Sequence, residues 1–141
     1  MIDKLKETFS QASEIVRQQA NNLGDSAKER GYQVIEDWLQ IFPKLEAYGF
    51  SVTSFGLSIA ISPSLEAELQ STHDLFSLER LDEIIAENKG NTALTSVFTT
   101  IKTTYNLHSR ISSELRDPLI LKIKVKLTPE INVYLGEPLI L

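Results

Sequence analysis

At 141 residues the chain suits one domain, and its 42% hydrophobic content can supply a core if roughly 70% of the unfolded surface is buried, as is usual at this size. The lack of cysteine excludes disulfides, thiolate catalysis and Cys-based metal sites together. A net charge of -5 opposes a field attracting nucleic acid, and no segment nears the roughly 18 apolar residues that cross a bilayer, so neither nucleic-acid binding nor integral membrane insertion is expected.

Met1–Lys6 lacks a basic stretch leading into an apolar run, and the expected location is the cytoplasm. From Ile2 to about Ala27, apolar residues recur as Ile2, Leu5, Phe9, Ala12, Val16 and Leu23, a narrow helical stripe interrupted by Gln19. This N-terminal amphipathic helix, assigned to 1–24, precedes an α+β core over 25–141. Its mixed charges suit packing on a core or partner better than the basic face of a membrane-surface helix. Asn21–Asp25 is a break, with Asp25 or Ser26 as the next cap.

A second helix carries Val34, Ile35, Trp38, Leu39, Phe42 and Leu45 on one face. Pro43 predicts a kink or a new turn, and Gly49 a stop. From Phe50 the period becomes two. Phe55, Leu57, Ile59, Ile61, Leu65, Ala67 and Leu69 share one face, with Ser54, Gly56, Ser58, Ala60 and Ser62 on the other. The same alternation runs from Val125 to Leu135, passing through Thr128-Pro129 as the first passes through Ser62-Pro63. A long strand bent at proline and a hairpin with a three-residue loop both preserve the phase. Neither segment has the glycine such a loop favours, so bent strands are the preferred reading.

Between these segments, Leu78, Leu81, Ile84 and Ile85 mark a short helix capped by Ser77, and Lys89-Gly90-Asn91 supplies a stop followed by a new cap. Over Thr92–Leu115 the threonines favour strand, but Leu94, Val97, Phe98, Ile101, Tyr105 and His108 keep helical spacing, which decides for helix. Leu119–Leu135 reads as strand, and Pro138 places any continuation at an edge or terminus. The two proline-containing segments each follow a helix. The helix parts align poorly, so two strands meeting one geometric demand is a simpler account than duplication. The predicted fold class is α+β: N-terminal amphipathic helices and a C-terminal helical segment packed on a small sheet of two long, proline-bent, antiparallel strands.

The chemistry-bearing candidates are few. Lys122, Lys124 and Lys126 project from one strand face at about 6.6 Å intervals and could meet phosphates or anionic headgroups. Antiparallel pairing with Pro63 opposite Pro129 gives a structural account, because it sets Glu66 against Lys126 and Glu68 against Lys124. Leu65 then faces Leu127, and Leu69 faces Ile123. His108 reads as a core residue, and His73-Asp74 as exposed polar residues whose spacing matches no metal motif. The carboxylate pairs Glu66/Glu68, Glu36/Asp37 and Asp82/Glu83 look solvent-facing, without the opposed environments of an acid–base site. No catalytic, metal or cofactor residue is assigned, and enzyme activity is disfavoured. The expected function is a noncatalytic protein-interaction or self-assembly module, forming a homo-oligomer or joining another chain through strand edges or the small-residue face of Ser54, Gly56, Ser58 and Ala60. An apolar-ligand or lipid-binding protein is the alternative, with a cavity lined by Phe55, Leu57, Ile59 and Val125; a small enzyme comes third.

Overall fold

The computed structural model describes residues 25–60 and 62–139, with side chains from Glu29 onward. The expected 1–24 helix lies outside the described residues. Helix α1 (Asp25–Ala47) turns Tyr32, Ile35, Trp38, Phe42 and Leu45 inward, the three-four spacing of one buried face. It continues through Pro43 and ends where the sequence places the stop. Gly49 takes φ 117, its amide donates to the Glu46 carbonyl at 3.0 Å, and the Phe50 amide donates to the Leu45 carbonyl at 3.2 Å. This is a Schellman close, and the side chains of Phe50 and Leu45 are both buried beside it.

Two hairpins follow the helices. Strands β1 (Ser51–Ser58) and β2 (Ser64–Ser71) form the first, and β3 (Leu119–Val125) and β4 (Glu130–Leu135) the second. They join through an antiparallel β2–β3 pairing into one sheet of order β1-β2-β3-β4. The expected pair of long bent strands is therefore corrected to four strands. The reason alternation concealed the reversals is arithmetic parity: Leu57 pairs with Leu65 and Ile123 with Ile131, odd with odd, so each hairpin returns the same residues to the same face. Both prolines sit one residue before the second strand of a hairpin, where a missing amide donor takes nothing from the ladder. Their connections, 59–63 and 126–129, outrun a three-residue turn, and among the described residues only Gly49, Gly90 and Gly136 adopt positive φ. The missing loop glycine was therefore no argument against a hairpin.

Helix α2 (Leu78–Glu87) starts at Ser77, whose Oγ accepts from the Arg80 amide at 3.1 Å. Helix α3 (Thr92–His108) starts at Asn91, whose side-chain oxygen accepts from the Leu94 amide at 3.1 Å. The helical reading of Thr92 onward holds as far as His108. Its threonines are accommodated by donating back to the preceding turn, Thr100 to the Ser96 carbonyl and Thr104 to the Thr100 carbonyl, each at 2.7 Å.

The three described α-helices lie on one side of the sheet. Helix α1 meets β2 and β3, α3 meets β4, and α2 packs outside on α3. Leu65, Leu69, Leu121 and Ile123 rise from the sheet into this layer, against Ile35, Leu45, Val97, Phe98 and Ile101. Each fully buried Leu or Ile contributes roughly 1.5–3 kcal/mol, whereas an exposed ion pair adds at most about 1 kcal/mol. Packing holds the two layers together, and the charges on the other side of the sheet can only bias which residues face each other.

Candidate functional site on the open sheet face

The residues of even number on β2 and β3 point away from the helices. Lys124 Nζ lies 3.2 Å from Glu66 Oε1, and Lys122 Nζ lies 3.7 Å from Glu68 Oε1. Antiparallel pairing and Glu/Lys complementarity are as expected, but the register is corrected by two residues: Glu66 faces Lys124, Glu68 faces Lys122, Leu65 faces Val125 and Leu69 faces Leu121. The cause is the placement of the prolines. Pro63 stands at the entry of β2 whereas Pro129 stands at the entry of β4, across the turn from β3, so the two prolines are not opposite each other. Lys126 and Leu127 fall in the 126–129 connection, beyond the end of β3. Of the three lysines proposed for anion contact, Lys122 and Lys124 share the face and Lys126 does not.

These pairs floor an open groove of about 580 Å³. On one side β1 contributes Ser54 and Gly56; on the other β4 contributes Glu130, Asn132 and Tyr134. The Tyr134 ring centroid is 5.2 Å from Lys122 Nζ, within cation–π range. Thr53 is the extra residue of a bulge between Val52 and Ser54, and its hydroxyl bonds both the Glu68 carbonyl at 3.1 Å and the Glu68 carboxylate at 3.2 Å. Glu68 is thus held from both neighbouring strands. Among the small residues, Ser54, Gly56 and Ser58 lie on β1 facing this side, and Ala60 lies past its end. The residues of β4 went unassigned in the sequence, although Asn132 and Tyr134 share the even numbering that places Lys122 and Lys124 on this face.

A second cluster lies at the far end of the molecule. His73 was expected to be exposed, but its side chain is 7% exposed, in a short 3-10 turn (His73–Leu75). Its Nε2 is 2.5 Å from the Arg116 carbonyl and its Nδ1 is 2.8 Å from the Tyr105 hydroxyl. A carbonyl only accepts, so Nε2 carries the hydrogen and Nδ1 accepts from the tyrosine. The His73 amide also donates to Asp117 Oδ1 at 3.0 Å. Burial, then the Asp117 charge, pushes the Tyr105 hydroxyl well above the ordinary tyrosine range. Both ring nitrogens are bonded and the phenol keeps its proton more firmly than usual. The arrangement joins the β2 exit, α3 and the approach to β3, and supplies no group poised to exchange protons with a substrate.

His108 is half-buried in the last turn of α3, and its carbonyl accepts from the amides of Ile111 and Ser112. Asp82 pairs with Lys102 at 2.6 Å, Glu83 with Arg80 at 3.2 Å, and Asp37 accepts from Gln33 at 3.0 Å. Among the described residues no group of three or more His, Asp or Glu side chains gathers to hold a metal ion, and no helix is long and apolar enough to cross a membrane. Comparison with protein-family models, curated proteins and solved structures returns no match.

Proposed function

We propose that this chain is a noncatalytic protein-interaction or self-assembly module whose contact surface is the open sheet face. One observation carries the reading: among the described residues the helices cover a single face of the sheet, and the opposite face is a groove floored by opposed rows of glutamate and lysine. The small side chains of β1 add support, since they let a neighbouring surface approach the backbone closely. The outer edge of β1 adds more, because among the described residues no strand pairs with it and every residue of the strand except Leu57 is exposed. The apolar-ligand reading needs open space above β1 and β3. Val125 is instead fully buried in the core with Leu57 packed against it, and Phe55 on the same face sets its ring edge-to-face on Phe42 at 6.5 Å, so side chains fill the space a ligand would need.

Native mass spectrometry of the freshly purified chain, beside a Gly56→Arg variant, tests the reading. A Cβ at Gly56 meets nothing within 4 Å, so arginine adds bulk and charge to the face without disturbing the fold. The expected result is an oligomer, or a second chain retained, that Gly56→Arg weakens about tenfold. A monomer carrying a retained apolar ligand overturns the proposal in favour of the alternative, and association that Gly56→Arg leaves unchanged removes the open face from it.

A further inference from the structure

Four rows cross the open face in sheet order, and their sequence has a symmetry. The β1 row is small (Ser54, Gly56), the β2 row acidic (Glu66, Glu68), the β3 row basic (Lys122, Lys124) and the β4 row bulky and polar, with one acid at its start (Glu130, Asn132, Tyr134). A two-fold axis parallel to the strands, lying over the β2–β3 boundary, carries the first row onto the fourth and the second onto the third. Small then meets bulky, and acidic meets basic. An axis perpendicular to the strands lays each row on itself, setting glutamates on glutamates and lysines on lysines. We infer that the occupant of this face is a second copy of the chain, docked face to face about a two-fold axis parallel to β2 and β3.

The inference rests on the open face being the contact surface, and it names the partner and the geometry. Residues at one level of the sheet stay at that level under this rotation. Glu66 meets the second copy's Lys124, Glu68 its Lys122, and Ser54 its Asn132. Lys122 then lies between two carboxylates, its own and the second copy's, and Lys124, flanked in its own chain by Glu66 and Glu130, gains a third. Aligned sheets cross at about 30°, which separates matching positions more with distance from the axis. The charged rows flank the axis, so twist displaces them least. Strands of this length, with neighbours about 4.8 Å apart, present roughly 400–500 Å² per copy, below the usual ~800 Å² of a stable complex. The dimer is accordingly weak, in the micromolar range or above, and sensitive to salt.

Sedimentation equilibrium over a wide concentration range is the test. A fourfold variant, Glu66→Lys, Glu68→Lys, Lys122→Glu and Lys124→Glu, exchanges the rows while keeping each in-chain pair attractive, and circular dichroism checks its fold. Under the proposed axis it self-associates like the original chain, yet mixing the two gives heterodimers weaker by at least about tenfold. The cysteine-free chain allows a second reading: mixed Ser54→Cys and Asn132→Cys variants form a disulfide-linked pair, and Ser54→Cys alone does not. A dimer in which the fourfold variant mixes freely with the original chain, or in which Ser54→Cys crosslinks only to itself, overturns the two-fold geometry and leaves the assembly reading standing. A monomer throughout overturns self-pairing, and with it the homo-oligomeric form of that reading.

Discussion

Tyr105 ties a measurable pH response to a single hydroxyl. Burial and the nearby Asp117 raise its folded pKa above the unfolded value of 10.0, so its contribution to stability is whole below that pH and is lost as pH rises through the folded value, because the unfolded chain releases the proton first. Alkaline unfolding monitored by tyrosinate absorbance should show a tyrosine step that coincides with loss of the fold, and Tyr105→Phe should diminish that step. At neutral pH the same substitution should lower stability by about 1–3 kcal/mol, since it leaves His73 Nδ1 buried without its donor. An unchanged alkaline profile in Tyr105→Phe would assign the response to other groups. Gly49 gives a second residue-scale expectation. Alanine there must hold φ 117, and its Cβ would sit 2.7 Å from Leu75 Cδ1, so a loss of at least about 1 kcal/mol should appear in urea unfolding. The caps at Ser77 and Asn91 and the stop at Gly49 were legible because their chemistry spans a few residues. The His73 bonds were not, because they reach 32 residues to Tyr105 and 43 to Arg116, and no local spacing encodes such a meeting.

Between elements, the sequence disclosed which residues share a face and left open where the chain reverses. Alternation reports parity alone, and an even-sum hairpin and a straight strand have the same parity. The Glu/Lys complementarity was enough to indicate antiparallel β2–β3 pairing, yet a shift of two residues keeps every charge and every apolar side chain on its own face, so pattern cannot select the register. Paired substitutions can. Glu68→Lys and Lys122→Glu should each destabilise by up to about 1 kcal/mol, and the exchange of both should recover part of the loss. The diagonal combination of Glu68→Lys with Lys124→Glu should recover less, measured by the same double-mutant cycle. Equal recovery in both cycles would mean that net charge, not cross-strand contact, sets the energies.

At the scale of the whole molecule, stability is distributed unevenly across the sheet. Strands β2 and β3 are central, with core-facing side chains fully buried; β1 is an edge strand, exposed at every position except half-buried Leu57. Hydrogen exchange should therefore protect β3 and the α3 interior most, and β1 least. A concentrated sample should slow exchange along the strands beneath the open face, odd- and even-numbered amides alike, if the two-fold contact forms. Protection of β1 equal to that of β3 in dilute solution would contradict this order. The helix-then-hairpin form occurs twice, as α1-β1-β2 and α3-β3-β4, although the helices themselves differ in length and apolar spacing.

A sheet with helices on one side alone sets two different rules for replacing its residues. On β2 and β3, every second position is confined by volume, and the positions between, apart from buried Ile120, are confined by charge and size at a wet surface. A scan of all substitutions for folded yield should consequently oscillate with a period of two along both strands: apolar changes survive at Glu66 and Glu68 where polar changes fail at Leu65 and Ala67. Along β1 the oscillation should be shallow, since Val52 and Phe55 are 38% exposed on the nominally inner face. Tolerance to mutation would then trace the edge of the helical layer across the sheet, strand by strand, without any direct view of its shape.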